Sequence, residues 1–245
     1  MNILPNIKII DLALYIKSEK TLVFSDLHLG YEEMLNKAGI LVPKFQYEKI
    51  ISHLDFIFSK CERIERIIIA GDLKHEFGKI SEQEWHEVLK FLDYLSKKTR
   101  NIILIKGNHD TITNRIADKK NIKIFENYYF ENERIYITHG HRIPNDLNFS
   151  DSNTVIIGHE HPAIAISDKT RIEKVKCFLK GKFGDKNLIV IPSFNFLTQG
   201  TNIISEKTLS PFLDQDTGNF EIYAVEKRKA LYFGKVKDLQ DYLSG

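Results

Sequence analysis

Thr21-Leu22-Val23-Phe24-Ser25-Asp26-Leu27-His28 passes without a break from a strand-forming apolar run to two metal-capable side chains. The same transition recurs along the chain. Ile67-Ile68-Ile69-Ala70 leads into Gly71-Asp72-Leu73-Lys74-His75, and Ile102-Ile103-Leu104-Ile105 into Gly107-Asn108-His109-Asp110. Ile135-Tyr136-Ile137-Thr138 leads into His139-Gly140-His141, and Thr154-Val155-Ile156-Ile157 into Gly158-His159-Glu160-His161. Short continuous runs of this kind read as strands buried on both faces. Between the early runs lie helical patterns: Tyr47, Ile50, Ile51, Leu54, Ile57 and Phe58, then Trp85, Val88, Leu89, Leu92 and Leu95, at the i, i+3, i+4, i+7 spacing. Ser81-Glu82-Gln83-Glu84 opens the second with a capping-box pattern. Alternating strands and helices predict a layered α/β core, and the strand-rich second half predicts a second sheet packed on the first.

Bulk properties set the outer limits. With 245 residues, 42% hydrophobic and 28% charged, and few Gly and Pro, the composition is that of a folded globular chain. No repeat, low-complexity tract or linker divides it, so one domain over residues 1–245 is expected, closed by a strand from Phe220 to Val225 and a short helix from Val236 to Leu243. A net charge of +2 argues for neither nucleic acid nor membrane by itself. Cys61 and Cys177 lie far apart with no C-x-x-C spacing and read as reduced core residues. Pro5, Lys8, Asp11, Lys17, Glu19 and Lys20 interrupt the apolar N-terminal stretch before a signal sequence or membrane span could form, so a cytoplasmic protein with no membrane contact is expected.

Five polar clusters following five strands would converge along one sheet edge, where α/β folds place their sites. In extended backbone, residues i and i+2 point the same way, so Asp26 with His28, and His159 with His161, are each expected to offer two donors to one spot. Of nine histidines only His53 and His86 fall outside the clusters; both lie in helical patterns and read as helix residues without function. One cluster alone would be compatible with a structural histidine pair. The ordered set is not.

D-x-H, G-D-x-x-H, G-N-H-D, H-G-H and G-H-x-H, in this order, resemble the calcineurin-like metallophosphoesterase superfamily. The resemblance implies a four-layer α/β/β/α sandwich holding two metal ions. Carried over by motif, Asp26, His28, Asp72 and His161 would hold one ion, and Asp72, Asn108, His139 and His159 the other, with Asp72 bridging. It also implies His109 as general acid toward the leaving oxygen or stabiliser of the charged transition state, with Asp110 as its hydrogen-bond partner. His75 and Asp110 depart from the G-D-x-x-D-R-G and G-N-H-E of the superfamily's protein phosphatases and are similar to the nuclease subunit of double-strand-break repair complexes, where the extra histidine lies near the scissile phosphate. A closer resemblance is to the small phosphoesterase group related to the bacterial ligase-associated DNA-repair phosphoesterase. It rests on Asp26-Leu27-His28-Leu29-Gly30, Gly158-His159-Glu160-His161-Pro162 and Pro192 to Gly200; that group commonly has a second Gly where Gln199 stands.

Imidazole, carboxylate and amide ligands without thiolate suit Mn²⁺, Fe²⁺ or Zn²⁺ better than Mg²⁺ or Ca²⁺, and manganese is the expected ion. His141 stays outside the ligand set, as a phosphate contact or a packing residue. Lys174, Lys176 and Lys180 alternate with Val175, Cys177 and Leu179; the plain reading is a solvated strand face, the functional one an approach for phosphate. The expected activity is a phosphodiesterase using a two-metal-activated hydroxide on nucleic acid, DNA or RNA, rather than on phosphoprotein. The alternatives are a phosphomonoesterase or nucleotide hydrolase, and a non-catalytic scaffold on the same fold.

Overall fold

Leu22 and Phe24 point to one face of their strand and Val23 to the other, and all three are completely buried. That pattern needs a layer on each side, which the computed structural model supplies. It describes residues 1–75, 82–110, 122–168 and 171–244. Ser81, expected to cap the second long helix, lies outside the described residues.

The first sheet runs in chain order through β1 (Asn2–Leu4), β2 (Ile7–Ile10), β3 (Ala13–Ile16), β4 (Thr21–Phe24), β5 (Arg66–Ile69), β6 (Ile102–Ile105) and β7 (Lys123–Phe125). Pairing is antiparallel up to β4 and parallel from β4 to β7. The crossovers between the parallel strands carry α1 (Tyr31–Lys37), α2 (Gln46–Lys60) and α3 (Glu82–Ser96). The second sheet is built from β8 (Asn127–Phe130), β9 (Ile135–Thr138), β10 (Thr154–Ile157), β11 (Pro162–Asp168), β12 (Arg171–Phe183), β13 (Lys186–Val190), β14 (Thr201–Asn202), β15 (Glu221–Glu226) and β16 (Lys229–Lys235). In it β9, β10 and β13 are parallel neighbours, and β12 pairs antiparallel with β11, β13 and β15. Two further helices, α4 (Leu147–Asp151) and α5 (Val236–Ser244), belong to this half of the chain.

Packing separates the buried side chains into three layers. Leu22, Phe24, Ile67, Ile69 and Leu104 meet Ile50, Leu54 and Ile57 of α2 and Val88, Phe91, Leu92 and Leu95 of α3. Val23, Ile68 and Ile103, on the opposite face of the same strands, meet Ile137, Ile156, Ile189 and Phe178 of the second sheet. Tyr136, Val155, Ile157, Leu188 and Val190 then bury the outer face of that sheet against Phe149 of α4, Phe212, Leu213 and Val236. The result is the expected α/β/β/α sandwich of two mixed sheets flanked by helices.

One element is unannounced and one expectation changes. The N-terminal residues 2–16 form an antiparallel meander that widens the first sheet, although no clear alternation announces it. Cys177 is fully buried while Cys61 is only partly so, and both are free thiols.

Ile68 packs between the sheets with no exposed area. Ile68→Ala should lower stability by about 2–5 kcal/mol, as a lost side chain plus residual cavity in a rigid layer. In denaturant titration the midpoint should fall with little change in slope.

Candidate metal centre

The parallel ladder between β4 and β5 continues beyond the sheet. Asp26 donates its amide to the carbonyl of Gly71, His28 to Asp72 and Leu29 to Leu73, each at 3.0 Å. This places the Asp26-Leu27-His28 and Gly71-Asp72 turns side by side over the strand ends. These segments are not the extended backbone that the i, i+2 spacing implies. Asp26 (φ 57°), His28 (47°), Asp72 (47°), His159 (65°) and His161 (53°) all lie in the left-handed region. Such conformations cost on the order of 1–3 kcal/mol each and persist where the surroundings over-determine them. The left-handed turns aim the side chains over the sheet edges, where a straight strand would carry them past.

Two donor groups result. The ligand-capable atoms of Asp26, His28 and His161 lie within 4.8 Å of one another, and so do those of Asp72, His139 and His159. His159 and His161 therefore serve different groups instead of one spot. Asn108 joins the second group, its Oδ1 3.0 Å from Nε2 of His139. Asp72 faces both, with Oδ2 3.4 Å from Nε2 of His139 and 3.9 Å from Nε2 of His28.

Small residues in the motifs make this closeness feasible. A Cβ on Gly71, itself at φ 101°, would stand 2.1 Å from Nδ1 of His139, and one on Gly107 would stand 2.0 Å from Oδ1 of Asp72. Backbone amides then fix the carboxylates: His109 N donates to Asp72 Oδ1 at 2.9 Å and His159 N to Asp26 Oδ2 at 3.0 Å.

Electrostatics prepare the donors for cations. Burial, reinforced by His161, pushes His28 down to about 3. Burial and the neighbouring His139 push His159 down to about 4. Both are therefore neutral donors. Burial resists ionisation of Asp26, but His161, His139 and His28 outweigh it and hold the carboxyl below its usual range. Burial is likewise outweighed at Asp72, chiefly by its hydrogen bond with His139. His139 is the exception: burial opposes its charge, yet Asp72 and Asp26 raise it to about 9. Its Nδ1 lies 3.0 Å from the Ala70 carbonyl, so the Nδ1–H tautomer leaves Nε2 to a cation.

The buried Oδ1 of Asp26 accepts no hydrogen bond among the described residues. Nε2 of His28 and Nε2 of His161 face each other at 3.4 Å. A buried carboxylate oxygen facing two imidazole nitrogens at this spacing is what a cation between them would resolve, so the donor set fits the implied metals.

A third group, His28, His75 and His109, flanks the first, again within 4.8 Å. Burial and His109 lower His75 to about 4, and its ring lies 4.2 Å from that of Tyr31, centroid to centroid. Nδ1 of His109 faces the carbonyl of His75, and the carboxylate of Asp110 accepts from the Gly107 amide at 3.0 Å. The hydrogen-bond partner of His109 is thus the backbone at His75, replacing the expected Asp110, which shapes the Gly107 turn. Burial, then the charge of Asp72, raises Asp110 to about 7. The ring of His141 lies 5.3 Å from that of His139, and its Nδ1 has no hydrogen-bond partner among the described residues.

Several supporting residues carried no signal in the sequence. Buried Gln46, the first residue of α2, donates its amide to the carbonyls of Leu27 (2.9 Å) and His28 (3.3 Å), pinning the left-handed turn. Buried Glu32 accepts from the amides of Phe45 and Gln46, so α2 is capped by a carboxylate from α1. Glu160, between the two ligand-type histidines, turns inward and accepts from Leu209 and Ser210, both at 2.8 Å. The basic face of β12 is not free: Lys174 pairs with Glu206 and Lys180 with Glu221.

A sequence model described as calcineurin-like phosphoesterase matches residues 19–202. The nuclease MPE of Pseudomonas putida superposes with a TM-score of 0.63 at 20% identity, over 90% of this chain and 92% of that one. YfcE, a phosphoesterase from E. coli, gives 0.43 at 14% identity over 88% and 98%. A Vps29 variant from Entamoeba histolytica gives 0.38 at 17% over 87% and 99%. The first of these shows a shared fold, and the two lower scores add nothing to it. No curated protein sequence matches the chain. Among the described residues no helix is long and apolar enough to cross a membrane.

Gln46→Leu should keep the fold and weaken metal binding about 10–100-fold, the usual effect of removing a residue that orients a ligand; isothermal titration against the wild type measures it. Because His139 sits near 9 before metal arrives, uptake at pH 7.5 should release about one proton, since the ligand must be deprotonated. Affinity should therefore fall with acidification, and the release should fade above about pH 9. Calorimetry in buffers of different ionisation enthalpy counts the protons.

Proposed function

The chain belongs to the calcineurin-like phosphoesterase family, and on that premise we propose that this metal-dependent phosphoesterase is a two-metal phosphodiesterase acting on nucleic acid. The observation that carries the reading is the placing of His75 and His109 beside the donor groups that Asp72 joins. Asp26, His28, Asp72 and His161 would hold one ion, and Asp72, Asn108, His139 and His159 the other; manganese is the first ion to test. When bound, a cation pair supplies Lewis-acid charge and a water that is deprotonated near neutral pH.

The chain's own groups do the rest. Asp72 is held by the His109 amide, so the shared carboxylate and the loop bearing the acid are positioned as one unit. With Nδ1–H of His109 directed at the carbonyl of His75, a proton delivered to the leaving oxygen is carried at Nε2. His75, held neutral, can donate one hydrogen bond to a phosphoryl oxygen without adding charge. Lys74 is turned away, its ammonium donating to the carbonyl of His109 at 2.5 Å. A neutral donor at His75 favours a singly charged diester over a monoester dianion, which calls for more positive charge. The nuclease activity named for the Pseudomonas putida neighbour makes nucleic acid the first substrate class to test.

With Mn²⁺ present, the protein should hydrolyse bis-p-nitrophenyl phosphate and oligonucleotides in preference to p-nitrophenyl phosphate and phosphoserine peptide, and a chelator should abolish the activity. Preference for a monoester would overturn the diesterase reading and leave the metal centre standing. His109→Ala should retain its metals and lose on the order of 10²–10⁴ in turnover. Metal loss in step with activity would reassign His109 to metal binding.

A further inference from the structure

A cavity of about 490 Å³ is lined by α2, β12, the loop at Phe196–Gln199 and the turn between β15 and β16. Each nearby wall is tied to a ligand-bearing turn. Lys49 stands one helical turn after Gln46, which holds the Leu27 and His28 carbonyls. Lys176 donates from β12 to the hydroxyl of Ser193 at 2.5 Å, and Ser193 bridges in parallel to Ser25, the residue before Asp26. The Phe196–Gln199 loop runs on to Thr201, whose amide donates to the carbonyl of His161. The cavity is thus tied through Gln46, Ser193 and Thr201 to the turns that carry Asp26, His28 and His161.

The cations lining it differ from one another, and Arg228 is turned to the hydroxyl of Ser52 at 2.8 Å. Lys174 has Glu206, and Lys227 has Glu226 at 3.6 Å. Lys49 and Lys176 have no carboxylate within ion-pair distance among the described residues. Lys49 instead lies 4.9 Å from the centroid of the partly exposed Phe196 ring, whose other neighbour is His53 at 4.5 Å. His53 is fixed by Oδ2 of the buried Asp11 at 2.6 Å, while Oδ1 of that acid has no hydrogen-bond partner among the described residues. The remaining carboxylate, Glu173, is exposed at the rim. An ammonium drawn into the protein with only a hydroxyl partner is an incomplete arrangement, which an anion would complete. Burial accordingly lowers Lys176 to about 7.

We infer that this cavity is a subsite for a backbone phosphate of the substrate strand next to the one on the metals, with Lys49 and Lys176 as its cations and Phe196 as an apolar wall for the adjoining sugar or base. Cations combined with an exposed aromatic ring are the usual means of holding single strands without reading their sequence. The inference rests on the nucleic-acid reading above and deepens it. It also reassigns the basic strand: of the two lysines it contributes to the cavity, Lys174 is paired with Glu206 and Lys176 is left for the phosphate.

The test is equilibrium binding of a fluorescein-labelled single-stranded oligonucleotide of about a dozen residues, followed by anisotropy in chelator at several salt concentrations. Lys49→Gln, Phe196→Leu and Lys176→Met are compared with the wild type after thermal melting confirms folding; the first two alter accessible side chains and keep the test valid should Lys176→Met not fold. Each lysine change should weaken binding several-fold and reduce the slope of log affinity against log salt by about 0.7. Phe196→Leu should weaken binding at unchanged slope. Unchanged binding in all variants overturns the subsite, as does wild-type binding of inorganic phosphate as tight as that of the strand, which would assign the cavity to a free anion. Hydrolysis of bis-p-nitrophenyl phosphate by the wild type separates the two failures: with it, only the subsite falls; without it or strand binding, the diesterase reading falls too.

Discussion

Everything at this centre turns on one buried carboxylate. Asp72 leaves its strand in a left-handed turn, takes the His109 amide on one oxygen and presents the other to His139 and His28. In a medium of low dielectric an ionised group so placed is unfavourable unless compensated. Imidazoles and an amide compensate it in part, and a pair of cations would complete it. The same residue belongs to one donor group, faces the other and anchors the loop that carries His109. A displacement at Asp72 would disturb all three at once.

The fold exists to hold that arrangement against its own strain. Left-handed backbone at Asp26, His28, Asp72, His159 and His161 is unfavourable for residues with a Cβ, and it recurs beyond strand ends of both sheets. The compensation comes from both sides of the sandwich. The parallel ladder of the first sheet runs on under the turns, Gln46 fixes the carbonyls of one, and Glu160 ties another to residues 209 and 210. With layers buried above and below, the strand ends have little freedom to relax. Binding precision is thus a property of the packed sheets, expressed at their edge.

Charge is distributed with the same economy. Burial keeps His28, His75 and His159 neutral, while Asp26 and Asp72 stay ionised. Of the lysines that line the cavity beside α2, Lys174 and Lys227 are neutralised by a neighbouring carboxylate, and Lys49 and Lys176 are not. That division, more than the net charge of the chain, marks where a polyanion could approach.

The sequence by itself determined the central strands, the two long helices and the residue types at the centre. Strand and helix periods are local, and continuous runs such as Ile67–Ala70 or the spacing from Tyr47 to Phe58 survive in any tertiary context that buries them. The order of the Asp, Asn and His motifs was legible for a similar reason, since metal chemistry restricts which side chains serve. Tertiary structure decided the rest. The N-terminal meander depends on edge pairing, which short and irregular patterns do not announce. Left-handed turns in place of extended ones follow from neighbouring strands that fix each backbone; they separate His159 from His161, as the motif resemblance implied and the extended reading did not. Gln46, Tyr31 and Glu160 are ordinary residues in the sequence and become supports only because distant segments meet there. Lys174, Lys176 and Lys180 looked alike along one strand; their partners, Glu206, Ser193 and Glu221, lie 32, 17 and 41 residues away and gave each lysine a different role. A local pattern fixes what a side chain can do, and the long-range contacts that bury or neutralise it fix what it does.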